Sequence, residues 1–385
     1  MGFFGKENLP IRRQTQSWTE DKRAFTEQHI LGVPRKVSDV DIETNISNVD
    51  LRAEGTRVVD QELSTNSVVK ADSVEEGEAA VHNAKPLPEV LLDKGRLSVS
   101  TPAEQNITFL PTGDAVVYYQ GDEIPYDSHG SSYAFDVPAS ARVTMPDGEK
   151  LGGGGKFFVR RENHDFFVEA KYEAKSAVER TVKIVLTDTK RVYSVKTFTG
   201  NVNADGLTGN TIIETKAGST ELIGHRDGSA AIKTETGDVT VKGFRTDQNE
   251  ANASLDVRTD AGDVIIDKMS GALSIQTGSG NITVRDADIN NSNNEVIKSE
   301  FGDIEIGVVN PDVKVVALTA GDIFIPEEDF TLTLDTNCHE RDEHGQKPGY
   351  RKVEGYFGSV APETSSLNLS SDFGTIVFKR LKKED

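Results

Sequence analysis

Apolar and small polar residues alternate along this chain in a block that keeps returning. In "KTETGDVTVKG", residues 233–243, a hydroxyl residue, a glycine and an acidic residue are followed by Val-x-Val. The block recurs with Gly200, Gly218, Gly237, Gly262, Gly280, Gly302, Gly321 and Gly374 in the glycine position. Five residues before these stand Val195, Ile213, Ile232, Val257, Ile275, Ile297, Val316 and Leu369, all branched aliphatics. Two and four residues after them the apolar parity resumes, as in Val239 and Val241 or Ile282 and Val284. A period of two buries one face of a strand. Each unit therefore reads as strand, glycine turn, strand, and the repeat predicts an all-β chain built as a β-solenoid or β-helix of stacked units.

Three residues before the glycines, on the inward parity, come Thr197, Thr215, Thr234, Thr259, Thr277, Ser299, Leu318 and Ser371. Stacked strands would turn these into a hydroxyl ladder at the inner edge of the turn. Glycine fits a turn repeated at every level because it has no Cβ to clash. Successive glycines are 18 or 19 residues apart, widening to 25 and 22 where "KGFRTDQNEANAS" and "RDADINNSNNE" intervene. The longer gap before Gly374 is filled if "LTLDT" (Leu332, Leu334, Thr336) opens a unit that closes at Gly358, leaving 337–356 as a loop insertion. An earlier rung, "VDIETNISNVDL", fits the register through Val40, Ile42, Thr44, Val49 and Leu51, with Ser47 in place of the glycine.

The run of "TGDV", "AGDV", "SGNI", "FGDI" and "AGDI" resembles the bacterial putative-adhesin family of β-strand-repeat proteins, a domain of unknown function, over about residues 190–380. The resemblance implies a solenoid fold and a kinship with cell-envelope proteins, some of them linked to envelope stress in Gram-positive bacteria. It carries no catalytic residue to transfer.

Around the repeats, residues 1–35 read as a polar tail or cap in which "TEDKRAFTEQHI" has the pattern of a short amphipathic helix. Residues 36–190 form an N-terminal β section with an acidic insertion at 55–94, and 191–380 form the regular solenoid. Within 95–190 the alternation returns in "RLSVS", "NITFL", "AVVYY", "KFFVRR", "DFFVEAKY" and "TVKIVLTD"; "FFVRRENHDFFVEA" reads as a hairpin.

Charge narrows the function classes. The net charge of -20 over 385 residues speaks against nucleic acid, whose phosphates demand clustered Lys and Arg. The single cysteine, Cys338, excludes an internal disulfide framework. "MGFFGKENLPIRRQ" holds too short an apolar run for a signal peptide and no stretch approaches a membrane span, so a cytoplasmic chain without membrane insertion is expected, with leaderless export as the route to a surface.

Three motifs invite chemistry. "LGGGGKFF" lacks the Gly and the Ser or Thr that a phosphate loop needs where Lys150 and Phe157 stand, and reads as a turn before a strand. Cys338, His339 and His344 are zinc-type donors, but three in one polar loop still lack a fourth ligand. Asp238, Asp263, Asp303 and Asp322 directly follow glycines, and stacking would set Asp238 beside Asp263 and Asp303 beside Asp322 at about 4.8 Å. Such carboxylates repel by roughly 1 kcal/mol in water, which calcium would relieve. The same position elsewhere holds Asn201, Ser219, Asn281 and Thr375, all able to bond locally to turn backbone, so turn capping stands beside the calcium ladder.

Two functions follow: a noncatalytic, envelope-associated or adhesin-like protein binding an unidentified protein or envelope component, or a β-helix lyase or hydrolase acting on polysaccharide. The second needs cations close to its carboxylates, and Lys233, Lys242, Arg258 and Arg285 are scattered along the chain.

Overall fold

The computed structural model describes residues 7–8, 11–18, 24–33, 37–46, 48–54, 61–70, 89–100, 106–109, 115–119, 122–126, 132–137, 142–144, 150–152, 155–162, 165–170, 178–245, 253–289, 295–309, 313–326, 330–338, 349–357 and 366–381. Among them there is no helix. Their strands form two long sheets of 14 and 13 strands and two small ones of five and three.

From Arg191 onward each turn of the chain gives one strand to each long sheet. Arg191–Thr199 and Val202–Asp205 are followed by Gly209–Ala217 and Thr220–Ile223, and the pattern runs on to Glu295–Phe301 and Ile304–Val308. On the 14-stranded sheet neighbouring rungs pair in parallel without slipping, so Val195, Ile213, Ile232, Val257, Ile275 and Ile297 form one column. All six are buried, as are Val202, Val239, Val264, Ile282 and Ile304 on the opposite sheet. The chain is a two-sheet β-solenoid whose interior is filled by these aliphatic columns. Burying each such side chain contributes about 1.5–3 kcal/mol.

The glycine and the hydroxyl residue answer one geometric problem together. At each turn the glycine carbonyl faces the next rung. The hydroxyls of Thr259, Thr277, Ser299 and Ser371 donate to the carbonyls of Gly237, Gly262, Gly280 and Gly302, at 3.4, 3.3, 3.0 and 2.8 Å. A Cβ on Gly280 would lie 2.0 Å from the Gly262 oxygen, at a φ of +148°. The inward hydroxyl thus satisfies a carbonyl that the next residue in the column must not crowd.

The stack does not follow chain order at its ends. Asp39–Ile46 lies between Arg96–Ser100 and Arg191–Thr199, and Asn48–Glu54 lies between Val178–Thr187 and Val202–Asp205. At the other end Ser366–Ser371 inserts between Glu295–Phe301 and Val313–Thr319, while Ile376–Arg380 inserts between Ile304–Val308 and Ile323–Phe324. The early rung fits as expected, with Val40, Ile42, Thr44, Val49 and Leu51 buried; Ser47 lies outside the described residues.

Several expectations are corrected. The described part of "TEDKRAFTEQHI" is not helical: Ala24–Val33 is a strand, paired on both sides by Ile11–Trp18 and Gln61–Lys70, and 19–23 lie outside the described residues. Two flanking ladders outweigh a weak helical pattern. Residues 55–94 contribute Gln61–Lys70 and Glu89–Asp93 to the long sheets, with Leu63 and Val90 buried, although 55–60 and 71–88 lie outside the described residues.

In Val313–Thr319 the inward parity is Val313, Val315, Ala317 and Thr319 rather than Val316 and Leu318. Facing the other parity inward would bury Lys314. Thr319 then takes the ladder position, donating to the Gly374 carbonyl.

The split unit at 330–358 is also wrong. Phe330–Cys338 and Tyr350–Phe357 form an antiparallel hairpin on the Val313–Thr319 edge. Part of the expected loop 337–356 is therefore sheet, and Leu332 and Leu334 are exposed on a terminal strand. The hairpin packs Phe330 against Phe357 at 4.9 Å and Phe357 against Phe378 at 4.8 Å, covering the end of the core.

In the N-terminal section the strands expected from the alternation are present, with Arg96–Ser100 and Val178–Thr187 in the long sheets and Asn106–Phe109, Ala115–Tyr119, Gly155–Glu162 and Asp165–Ala170 in the small ones. Gly155–Glu162 and Asp165–Ala170 form the expected hairpin.

Candidate functional site

The feature repeated most often at the surface is the edge formed by the glycine turns. Here the Asp or Asn side chain at the turn binds the next rung at several successive levels. The Asp263 N–H donates to Asp238 Oδ1 at 2.9 Å and the Asn281 N–H to Asp263 Oδ1 at 2.7 Å. The Asp303 N–H donates to Asn281 Oδ1 at 2.9 Å and the Thr375 N–H to Asp303 Oδ1 at 2.7 Å. The same contact joins Asn48 to Asn201 and Asn201 to Ser219. One carboxylate oxygen of Asp238, Asp263 and Asp303, and the amide oxygen of Asn48, Asn201 and Asn281, is thereby engaged along the stack, as turn capping requires.

Asp238 and Asp263 are neighbours, as expected. Asp303 and Asp322 are not, because the rung carrying Thr375 stands between them. Chain order does not give stacking order at this end. No group of three or more His, Cys, Asp or Glu side chains is arranged for a metal among the described residues. His339 and His344 lie outside those residues, and only the backbone of Cys338 is described.

The four cations considered for a polysaccharide enzyme fall on different sheets. Lys233 and Arg258 pair side by side on the 14-stranded sheet; Lys242 and Arg285 belong to the 13-stranded sheet, where Lys242 binds Glu221 at 2.8 Å. Arg258 is engaged by Asp256 on its own strand.

Two features escape the sequence reading. His225 is fully buried, with Nε2 3.2 Å from the Thr211 hydroxyl and its ring stacked on Phe244 at 5.0 Å. Burial pushes its pKa down to about 4, against a smaller opposing effect of the Gly209 backbone. Its sequence signal was available, since His225 sits one repeat after buried Leu207.

The second is an exposed aromatic pair on the glycine-turn edge. Phe301 and Phe373, each immediately before its glycine, stack at 5.3 Å with 10° between the ring planes while remaining 56% and 62% exposed. Their adjacency depends on the inserted rung, which no local spacing reveals. Beside them Glu300 pairs with Lys298 at 3.8 Å, and the Tyr350 hydroxyl has its pKa raised by burial first and then by the Asp372 carboxylate. Arg351 holds Asp335 through two bonds of 3.1 and 2.8 Å, and its pKa is raised by that bond and in smaller part by the charge of Asp322.

No helix among the described residues is long and apolar enough to cross a membrane. A solved structure described as a putative cell adhesion protein from Clostridium sporogenes ATCC 15579 aligns with 92% of this chain and 100% of its own, at 9% identity and a TM-score of 0.23, too low to carry an argument. No curated protein matches. The sequence matches the Toastrack DUF4097 family, a domain of unknown function, over residues 141–354. That span exceeds half of the chain and takes in the central rungs with their glycine column, and the chain belongs to the Toastrack DUF4097 family.

Proposed function

We propose that this protein is a noncatalytic, adhesin-like interaction protein of the cell envelope, a rigid solenoid that holds surface side chains at fixed spacing for a protein or envelope partner. The observation that supports this best is the contrast between the two sides of each rung. Inward columns are occupied by aliphatics and hydroxyls that bond to the turn backbone. Outward positions vary from rung to rung on one repeated frame. Repeat arrays of this kind use an extended surface to bind, and change specificity through the residues displayed on it.

Cell fractionation with protease treatment of intact source cells tests the reading. The protein should appear in the envelope fraction and be cleaved from outside. Exclusive recovery in the soluble fraction, with full protection from protease, would contradict it.

A further inference from the structure

Resting on that reading, we propose that the Phe301/Phe373 pair is a docking surface for a cationic polypeptide segment, one that presents Arg or Lys side chains. At the position before the glycine the other described glycine rungs carry small residues: Thr199, Ala217, Thr236, Ala261, Ser279 and Ala320. Among the described glycine rungs only two carry phenylalanine there, and the solenoid brings them together although they lie far apart in sequence. The insertion of Ser366–Ser371 beside Glu295–Phe301 creates the pair. Both rings stay largely in water, although similar side chains at Phe357 and Phe378 are buried in the core. The rung on the far side of Phe301 carries Ser279 at the paired position. A small residue there leaves the outer ring face uncovered by a bulky neighbour.

Charge selects the occupant. Glu300 and Asp372 precede the two rings in the chain, and Asp303 and Asp322 stand at the glycine turns of this end. Lys298 and Arg351 are the cations placed against these acids by the contacts described above. The corner is therefore acidic on balance, and the ring faces are themselves electron-rich. An anionic polymer is repelled from such a surface, whereas an Arg or Lys side chain gains from both the carboxylates and the rings.

The probe is a short fluorescein-labelled peptide of alternating Gly and Arg, titrated with the full chain at low salt and followed by anisotropy. Phe301→Ala/Phe373→Ala should weaken binding roughly five- to thirty-fold, the product of two exposed cation–π contacts. Its thermal midpoint should stay close to the parent's, because the rings are exposed. Glu300→Gln/Asp303→Asn should also weaken binding and flatten its salt dependence. Equal binding by the parent and the double Phe variant would overturn the proposal, leaving only general attraction to an acidic protein. It would also be overturned if the Phe pair instead supported self-association in sedimentation, or bound a neutral oligosaccharide but not the peptide. Retention on isolated envelopes separates the two levels of the account: loss of peptide recognition with unchanged envelope binding by the double variant would remove this surface and leave the interaction reading standing.

Discussion

Replacing Gly280 with alanine separates the steric need for glycine from the conformational one. The new Cβ would stand 2.0 Å from the Gly262 oxygen and 2.5 Å from its carbonyl carbon, both backbone atoms held by the stack. Relief to ordinary contact opens the two rungs by about 1.4 Å or more. The three shortest bonds that bridge them at this point run from the Gly262 N–H to the Ser279 oxygen at 2.8 Å, from the Val264 N–H to the Asn281 oxygen at 2.8 Å, and from the Asn281 N–H to Asp263 Oδ1 at 2.7 Å. At about 1 kcal/mol each, their loss costs about 3 kcal/mol. A non-glycine residue at a φ of +148° adds about 1 kcal/mol, for a total of about 4 kcal/mol. Gly243 is the control. It also has a positive φ, +70°, but a Cβ there would meet nothing closer than 3.8 Å. Gly243→Ala should cost only the conformational part, about 1 kcal/mol. Urea unfolding of both variants, followed by far-ultraviolet circular dichroism, should separate them by about 3 kcal/mol. Equal losses would refute the steric account of the column.

Two other perturbations probe the side chains. His225 has a folded pKa of about 4 against an ordinary value of 6.5, so the unfolded chain binds its proton first as pH falls. Its contribution is complete above pH 6.5 and declines toward pH 4, amounting to about 2 kcal/mol lost by pH 5; His225→Leu should remove that component from urea midpoints measured between pH 7.5 and 5, and an unchanged pH slope would contradict it. The aspartates distinguish capping from calcium: with Asp238→Asn, Asp263→Asn, Asp303→Asn and Asp322→Asn together, the Oδ1 acceptors persist, so the fold should survive and millimolar calcium should shift the melting temperature of neither protein. A calcium-dependent rise in the parent that vanishes in the variant would establish the cation ladder instead.

The regular part of the solenoid was legible because its determinants are local. Alternation about each glycine identifies the inward residues of each rung from 191 to 308, and the Thr column follows from the same parity. Val316 and Leu318 show where that reasoning stops. Both are aliphatic, so the pattern accepts either parity, and the need to expose Lys314 decides it. Leu332 and Leu334 alternate as a core strand would, yet the hairpin leaves them exposed at a sheet edge. Stacking order was the larger gap. Pairing in parallel fixes which residues align but not which rung lies next, so Asp303 was set beside Asp322 when Thr375 intervenes. The aromatic pair was hidden for the same reason.

Disulfide trapping tests the solenoid and its inserted rung most directly. Lys298 and Ser370 are partners on adjacent parallel strands, and Leu318 is the partner of Ser370 on its other side. Adjacent strands lie about 4.8 Å apart, within reach of a disulfide, whereas strands two rungs apart lie about 9.6 Å apart and outside it. With Cys338 replaced by serine, Lys298→Cys/Ser370→Cys should oxidise readily in the folded protein and Lys298→Cys/Leu318→Cys should remain reduced. Oxidation of the second pair with the first left reduced would mean that the rungs stack in chain order, and would contradict both the architecture and the surface built on it.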